Sequence, residues 1–256
     1  MQVDFISDIE ELVRNTGEEL LRLWPGAGNK NLEIKYKPDG SPVTEADLLA
    51  NDLIVSKIRE LFPDDGIISE ELEFSAAEAS KERVWVMDPL DGTNSFISGR
   101  DDFSILISCC VAGEAQFGVM YFPARNLFAH GTKGRGAELN GQKLAVSGEA
   151  DLKPSKVYHR WVDLVPGDYL FEGKLDSGMA FLMLAQGELD ATVMQYSRFG
   201  AHDFAAPAVI IREAGGKFTD EKGNDATFNL GSITAEYFVA SNGKVHQKTL
   251  ELILPA

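Results

Sequence analysis

With 256 residues, 44% hydrophobic and 25% charged, the chain has the make-up of a folded globular protein, which excludes disorder as its default state. Its formal charge of −16 excludes a surface built to gather nucleic acid polymers or anionic membranes, because both require clustered Lys and Arg. Any phosphate this chain handles must therefore be held locally.

Residues 2 to 24 place Phe5, Ile6, Ile9, Leu12, Val13, Leu20 and Trp24 at spacings of three and four, which predicts an amphipathic helix ended by Pro25 and Gly26. Asp4, Asp8, Glu10 and Glu11 interrupt its apolar residues, and no run in the chain approaches the roughly 18 residues of a membrane span. An extended piece at Leu32 to Lys37 leads through the turn Pro38-Asp39-Gly40-Ser41-Pro42 into a second helix from about Glu45 to Leu61. Pro63 to Gly66 closes it and Ile67 to Glu71 follows, while residues 72 to 82, rich in Ala and Glu, read as a solvated loop or short surface helix.

Val84 to Met87 is a strand, and Phe103 to Val111, Ala115 to Phe122 and Leu127 to His130 form a meander broken by turn residues. The adjacent Cys109 and Cys110 in that meander are unsuited to a disulfide with each other and read as buried thiols in a reducing compartment, hence a cytoplasmic protein. Gly131 to Gly141 is expected to be a hinge between an N-terminal α+β half, about 1–140, and a C-terminal α/β half, about 141–256, of one domain. The second half reads as a helix at Ser177 to Gln186, a strand at Ala191 to Met194, a helix at Phe204 to Ala214, a strand at Phe238 to Ala240 and a terminal helix. This order predicts layered α and β elements.

Chemistry concentrates in the carboxylates. Asp88 follows the apolar strand, Pro89 stiffens the chain and Asp91 returns, so both side chains can leave the strand end toward one point. Gly92 permits a tight turn, and Thr93 with Asn94 can open a short helix whose N–H groups favour an anion. Magnesium takes one or two carboxylates, water and a substrate phosphate at about 2.0–2.1 Å, which suits such a turn. Bland readings stand beside these. Asp-x-x-Asp-Gly is also an ordinary turn, Thr44-Glu45-Ala46-Asp47 is a capping box, Asp203 can cap the helix that starts at Phe204, and Asp220 to Asp225 reads as a polar hairpin turn.

Taken together, Gly40-Ser41-Pro42-Val43-Thr44-Glu45-Ala46-Asp47, Ile68-Ser69-Glu70-Glu71, Trp85 to Thr93, and His202-Asp203-Phe204-Ala205-Ala206 with Glu213-Ala214-Gly215-Gly216 resemble the successive motifs of the inositol monophosphatase family. The resemblance spans nearly the whole chain. It implies an alternating layered α-β-α-β-α sandwich, often dimeric, and a magnesium-dependent, lithium-sensitive phosphatase of small phosphorylated metabolites, here a homodimer. On matching positions, Glu70, Asp88 and the Leu90 carbonyl would hold one Mg2+, and Asp88, Asp91 and Asp203 a second. Glu70 would also reach a third, and Mn2+ would serve as a substitute. Asp47 and Thr93 would orient and deprotonate the attacking water, while Gly92, Thr93 and Asn94 would cradle the phosphate.

Two departures bear on substrate. His202 stands where the family usually has Trp, as a packing or capping group or a tuner of substrate contact. Tyr196 falls where inositol phosphatases carry a Glu, and it belongs to the run Tyr196-Ser197-Arg198-Phe199-Gly200. With the region Asp176-Ser177, where Ser177 reads equally as a helix cap, Tyr196, Arg198 and His202 form the expected substrate rim. An inositol- or sugar-phosphate monoesterase is the first expectation, with a 3′(2′),5′-bisphosphate nucleotidase, a histidinol-phosphate phosphatase and a catalytically silent binding member as alternatives.

Overall fold

The structure, a computed structural model, describes residues 5–28, 32–38, 40–153, 156–196, 200–228 and 235–254. Its centre is a seven-stranded sheet in the order β3 (Gly66–Ser69), β4 (Arg83–Asp91), β5 (Ser104–Val111), β6 (Glu114–Phe122), β7 (Leu127–Thr132), β8 (Gly136–Leu139), β9 (Gln142–Lys143). Only β3 and β4 pair in parallel; the remaining neighbours are antiparallel.

Side chains alternate across the two faces, as the pleat requires. Trp85, Met87, Ile105, Ile107, Phe117 and Val119 pack on helices α1 (Ile6–Leu23) and α2 (Glu45–Leu61), whereas Val84, Val86, Leu106, Met120 and Phe122 face helices α5 (Ser177–Ala185) and α6 (Ala201–Glu213). The latter pair also meets a second, four-stranded sheet, ordered β10 (Val157–Arg160), β11 (Ala191–Gln195), β13 (Tyr237–Ser241), β12 (Lys217–Asp220). That sheet turns Tyr158, Met194, Phe218 and Phe238 toward α5 and α6, and Val157, Val193 and Val239 toward the region of α7 (His246–Leu250). The layers therefore run α-β-α-β-α, the predicted order.

Sequence character explains who sits where. α1 and α2 cover one face only and keep polar outer faces, while α5 is buried over nearly its whole surface because sheets lie on both sides of it. α6 lies close on the first sheet: a Cβ added at Gly118 would stand 2.7 Å from the Ala206 carbonyl oxygen. Small remaining elements are the hairpin β1 (Ile34–Tyr36) and β2 (Pro42–Thr44), the short α3 (Ala76–Ala79) in the stretch read as a solvated loop or surface helix, and α4 (Thr93–Ile97). Asp220 accepts from the backbone N–H groups of Lys222 and Asn224 at 2.9 and 2.8 Å, a polar turn as expected. No described helix is long and apolar enough to cross a membrane.

Three boundaries differ from expectation. Gly131 to Gly141 is no hinge: β7 and β8 pair through it and β9 continues the same sheet, so its glycines serve hairpin turns. The last long helix begins at Ala201, with Gly200 as cap and Asp203 in its third position. Asp176, not Ser177, caps α5.

One buried histidine has a consequence for acid stability. His246 sits between the hydroxyls of Thr219, at 2.9 Å from Nε2, and Ser241, at 2.8 Å from Nδ1. Burial, reinforced by Lys217, pushes its pKa down from 6.5 to about 4. The unfolded chain thus takes up this proton first, and stability present above pH 6.5 is lost as pH falls toward 4, by about 2 kcal/mol after allowance for partial solvent access. Thermal melts of wild type and His246→Asn at pH 7 and 4.5 should show a smaller acid-induced drop in the variant; equal drops would refute the assignment.

Candidate active site

The first sheet explains how Asp88 and Asp91 meet. β4 continues through both residues instead of ending before Asp88. On a regular strand, positions three apart point to opposite faces. Here Asp88 pairs with Leu106 and Asp91 with Ser104, so β4 advances three residues while β5 advances two. The extra residue restores the parity, and both carboxylates emerge on the face covered by the middle helices. Asp203 arrives on that same face from α6, one turn inside its N-terminus. Oxygens of Asp88, Asp91 and Asp203 lie within 4.8 Å of one another, and so do single ligand atoms of Glu70, Asp88 and His202.

Each group is held. Asp88 Oδ1 accepts from the Leu90 N–H at 2.9 Å. Asp91 accepts from Ser104 Oγ at 2.9 Å, Ser177 Oγ at 3.0 Å and the Gly178 N–H at 3.1 Å. That last bond needs a glycine, because a Cβ at Gly178 would lie 2.5 Å from the same carboxylate. Asp203 Oδ2 accepts from the Gly200 N–H at 2.5 Å. Glu70, just past β3, takes an ion pair from Lys37 at 2.8 Å, and Lys37 also reaches Glu71 at 2.7 Å.

Electrostatically this is a site made for a cation. Burial first, then Glu70, Asp91 and Asp203, drive the Asp88 pKa well above the usual carboxylate value. Burial, Asp176 and Asp203 do the same to Asp91. Asp203 is pushed up to about 8, by burial and then by Glu70. Glu70 moves the other way: burial raises it, but His202 and Lys37 outweigh that and hold it below its ordinary value. Buried like charges at such separations require neutralisation, and a donor set of carboxylate oxygens suits a hard divalent ion. The residues fit magnesium on that ground. His202 adds an imidazole beside Glu70, with Nε2 3.3 Å from Asp203 Oδ2, and burial lowers its pKa.

Asp47 serves the capping box with one oxygen and meets Thr93 with the other. Oδ2 accepts from the Thr44 N–H at 2.7 Å and Thr44 Oγ1 at 2.6 Å, completing the capping box, while Oδ1 accepts from Thr93 Oγ1 at 3.0 Å. Thr93 also lies 3.3 Å from the Leu90 carbonyl. Burial raises the Asp47 pKa against the opposing Thr44 and Thr93 bonds. Gly92 turns the chain at φ 85°, and the exposed Asn94 follows it.

A cavity of about 150 Å³ joins these parts: Glu70, Asp88, Leu90, Asp91, Gly92, Thr93, Asn94, Ser177 and Asp203 line it, together with Ser41, Pro42, Asp176, Arg160 and Trp161. The structure thus brings most of the expected residues to one place. Tyr196 goes elsewhere, its ring packing on Phe204 and Phe238 at 6.1 and 5.4 Å. Arg198 lies outside the described residues.

Sequence reasoning missed Lys37, Arg160 and Trp161, and saw Asp176 only as part of a substrate-contact region. Lys37 stands beside a legible turn, but its partners are 33 and 34 positions away. Asp176 is buried, accepts from the Ser177 N–H at 2.8 Å and lies 3.6 Å from Arg160; nothing in its local sequence signals that.

Comparison with known proteins agrees with this arrangement. The family model described as the inositol monophosphatase family matches residues 2–255. The fructose-1,6-bisphosphatase/inositol-1-monophosphatase of Thermotoga maritima is 30% identical over 257 residues, covering 95% of this chain and 93% of that protein. Human inositol monophosphatase 2 is 37% identical over 202 residues, 71% of this chain and 69% of that protein. A solved Thermotoga maritima IMPase superposes with a TM-score of 0.83 at 29% identity, covering 97% of this chain and 96% of that one.

Proposed function

The chain belongs to the inositol monophosphatase family, and on that premise we propose which of its residues perform the hydrolysis and on what. It is a phosphoric monoester hydrolase with a divalent metal cofactor. In our reading Glu70, Asp88 and the Leu90 carbonyl hold one Mg2+, Asp88, Asp91 and Asp203 hold a second, and Glu70 with His202 offers a third position. When bound, the ions supply charge neutralisation for the phosphoryl oxygens and acidify water.

The chain's own residues do the rest. Thr93, whose hydroxyl is directed to Asp47, orients the attacking water, and its proton passes through Thr93 to Asp47. The raised pKa of Asp47 makes it a stronger base than an exposed carboxylate. Backbone N–H groups at Gly92 and Thr93, with Asn94 beside them, cradle the phosphate, and Ser177 steadies Asp91 from the substrate side. The observation that carries this reading is the hydrogen bond from Thr93 to Asp47 opening onto the same cavity as both carboxylate groups.

The substrate is a small inositol or sugar phosphate, a reading favoured by the dual name of the Thermotoga relative. Replacement of Mg2+ by Mn2+, lithium inhibition and a homodimer belong to the same reading. Cytoplasmic residence is supported by Cys109 and Cys110, both free and buried. Phosphate release from inositol 1-phosphate and fructose 1-phosphate should require magnesium, and Asp47→Asn should lower kcat by about 10²–10⁴-fold with little change in KM. Turnover unaffected by chelation, or full kcat in the variant, would reject the proposal.

A further inference from the structure

The two clusters of candidate ligands differ in one kind of atom. Asp88, Asp91 and Asp203 present oxygen alone, whereas Glu70, Asp88 and His202 include a ring nitrogen, each set with its ligand atoms within 4.8 Å of one another. Carboxylate and water oxygens suit Mg2+, and imidazole suits the first-row transition ions, so a single nitrogen changes which cation a position favours.

His202 is held at this position. Its ring lies so close over Gly200 that a Cβ there would stand 2.2 Å from Cε1, which limits how the ring can turn. Nε2 is 3.3 Å from Asp203 Oδ2, so the imidazole stands at the junction of the two clusters, and its side chain is 22% exposed, sheltered yet open to an entering ion. Lys37 engages Glu70 through Oε1 at 2.8 Å; a carboxylate has a second oxygen to offer a metal. A neutral imidazole adds a donor without adding to the negative charge already crowded around Asp88.

We propose that Glu70, Asp88 and His202 form a nitrogen-containing position that selects a first-row transition dication over Mg2+, so that the enzyme carries a mixed set of ions, with Mg2+ among Asp88, Asp91 and Asp203. This rests on the hydrolase reading above and adds the class of metal at its third position. There a transition ion is the preferred occupant, set by His202, and not an occasional replacement for Mg2+.

Mn2+ and Co2+ are the probes, used on the full chain. Pulsed electron paramagnetic resonance of one equivalent of Mn2+, added to protein saturated with Mg2+, should show the nitrogen hyperfine coupling of an imidazole in the wild type. His202→Gln and His202→Asn, checked for folding by melts in chelator, should both lose it. His159→Asn, which removes a histidine bonded to the Val162 carbonyl, should keep it. By titration calorimetry the wild type should bind one Co2+ at least about 10-fold more tightly than Mg2+. Either His202 variant should weaken that Co2+ by at least about 10–100-fold, since even an outer partner of a metal ligand is worth that much. Mg2+ affinity should stay within about 3-fold, because the oxygen ligands are untouched.

A wild-type spectrum without imidazole coupling, or Co2+ held no more tightly than Mg2+, overturns the proposal without recourse to any variant. Coupling that persists in both His202 variants overturns the assignment to His202. Either result leaves the hydrolase reading standing if Mg2+ still supports phosphate release. A chain that binds no divalent ion at all defeats both.

Discussion

Asp88→Asn is expected to lower phosphate release by at least about 10³-fold while the metal-free protein folds and melts at a temperature no lower than wild type. Asp88 is the one residue common to both clusters of candidate ligands, so its loss removes an oxygen from each. Electrostatic stabilisation of developing charge is commonly the largest catalytic contribution, and single losses of this kind cost about 10²–10³ in kcat; a group shared by two sites costs more. Stability should move the other way. The side chain is buried and its charged form is opposed by burial, Glu70, Asp91 and Asp203 in turn, so a neutral isostere relieves repulsion. Asn keeps an oxygen for the Leu90 N–H. Phosphate assays and thermal melts in chelator provide both readings. Wild-type turnover in the variant would remove Asp88 from the metal site.

The second large effect is on stability. Saturating magnesium should raise the melting temperature of the wild type by about 5–10 °C over chelated protein. Binding at a hundred times Kd contributes about 2.7 kcal/mol, and a chain of this size gains about 2–4 °C per kcal/mol. The increment should be larger at pH 8 than at pH 6. Asp203 titrates at about 8 in the metal-free fold against 3.8 unfolded, so between these values the folded state binds more protons and stability falls as pH rises. Magnesium competes with those protons and reverses the loss. Asp88→Asn should show little of this increment. A melting temperature indifferent to magnesium at both pH values would contradict the cation site.

Capping chemistry and strand alternation were local and therefore readable. Thr44 and Asp47 announce the start of α2, and the helix begins at Glu45; Val84 to Met87 alternates between two cores and is a central strand. The expected hinge at Gly131 to Gly141 failed because glycines that serve hairpins and those that serve hinges look alike without a partner strand. Asp203 looked like a cap because an acidic residue before an apolar run fits either the cap or the third position, and only the Gly200 bond distinguishes them.

What the sequence determined by itself was the set of candidate carboxylates and the succession of helices and strands, since motif content and hydrophobic periodicity are properties of neighbouring residues; the order of the layers followed from the resemblance to the family. The tertiary structure alone decided how they combine. The extra residue in β4 that puts Asp88 and Asp91 on one face depends on register with β5. The salt bridge from Lys37 to Glu70, and the meeting of Arg160 with Asp176 at the cavity mouth, depend on elements brought together from distant positions. Side-chain identity shows which groups are able to bind an ion or a phosphate; packing determines which of them share the space in which to do so.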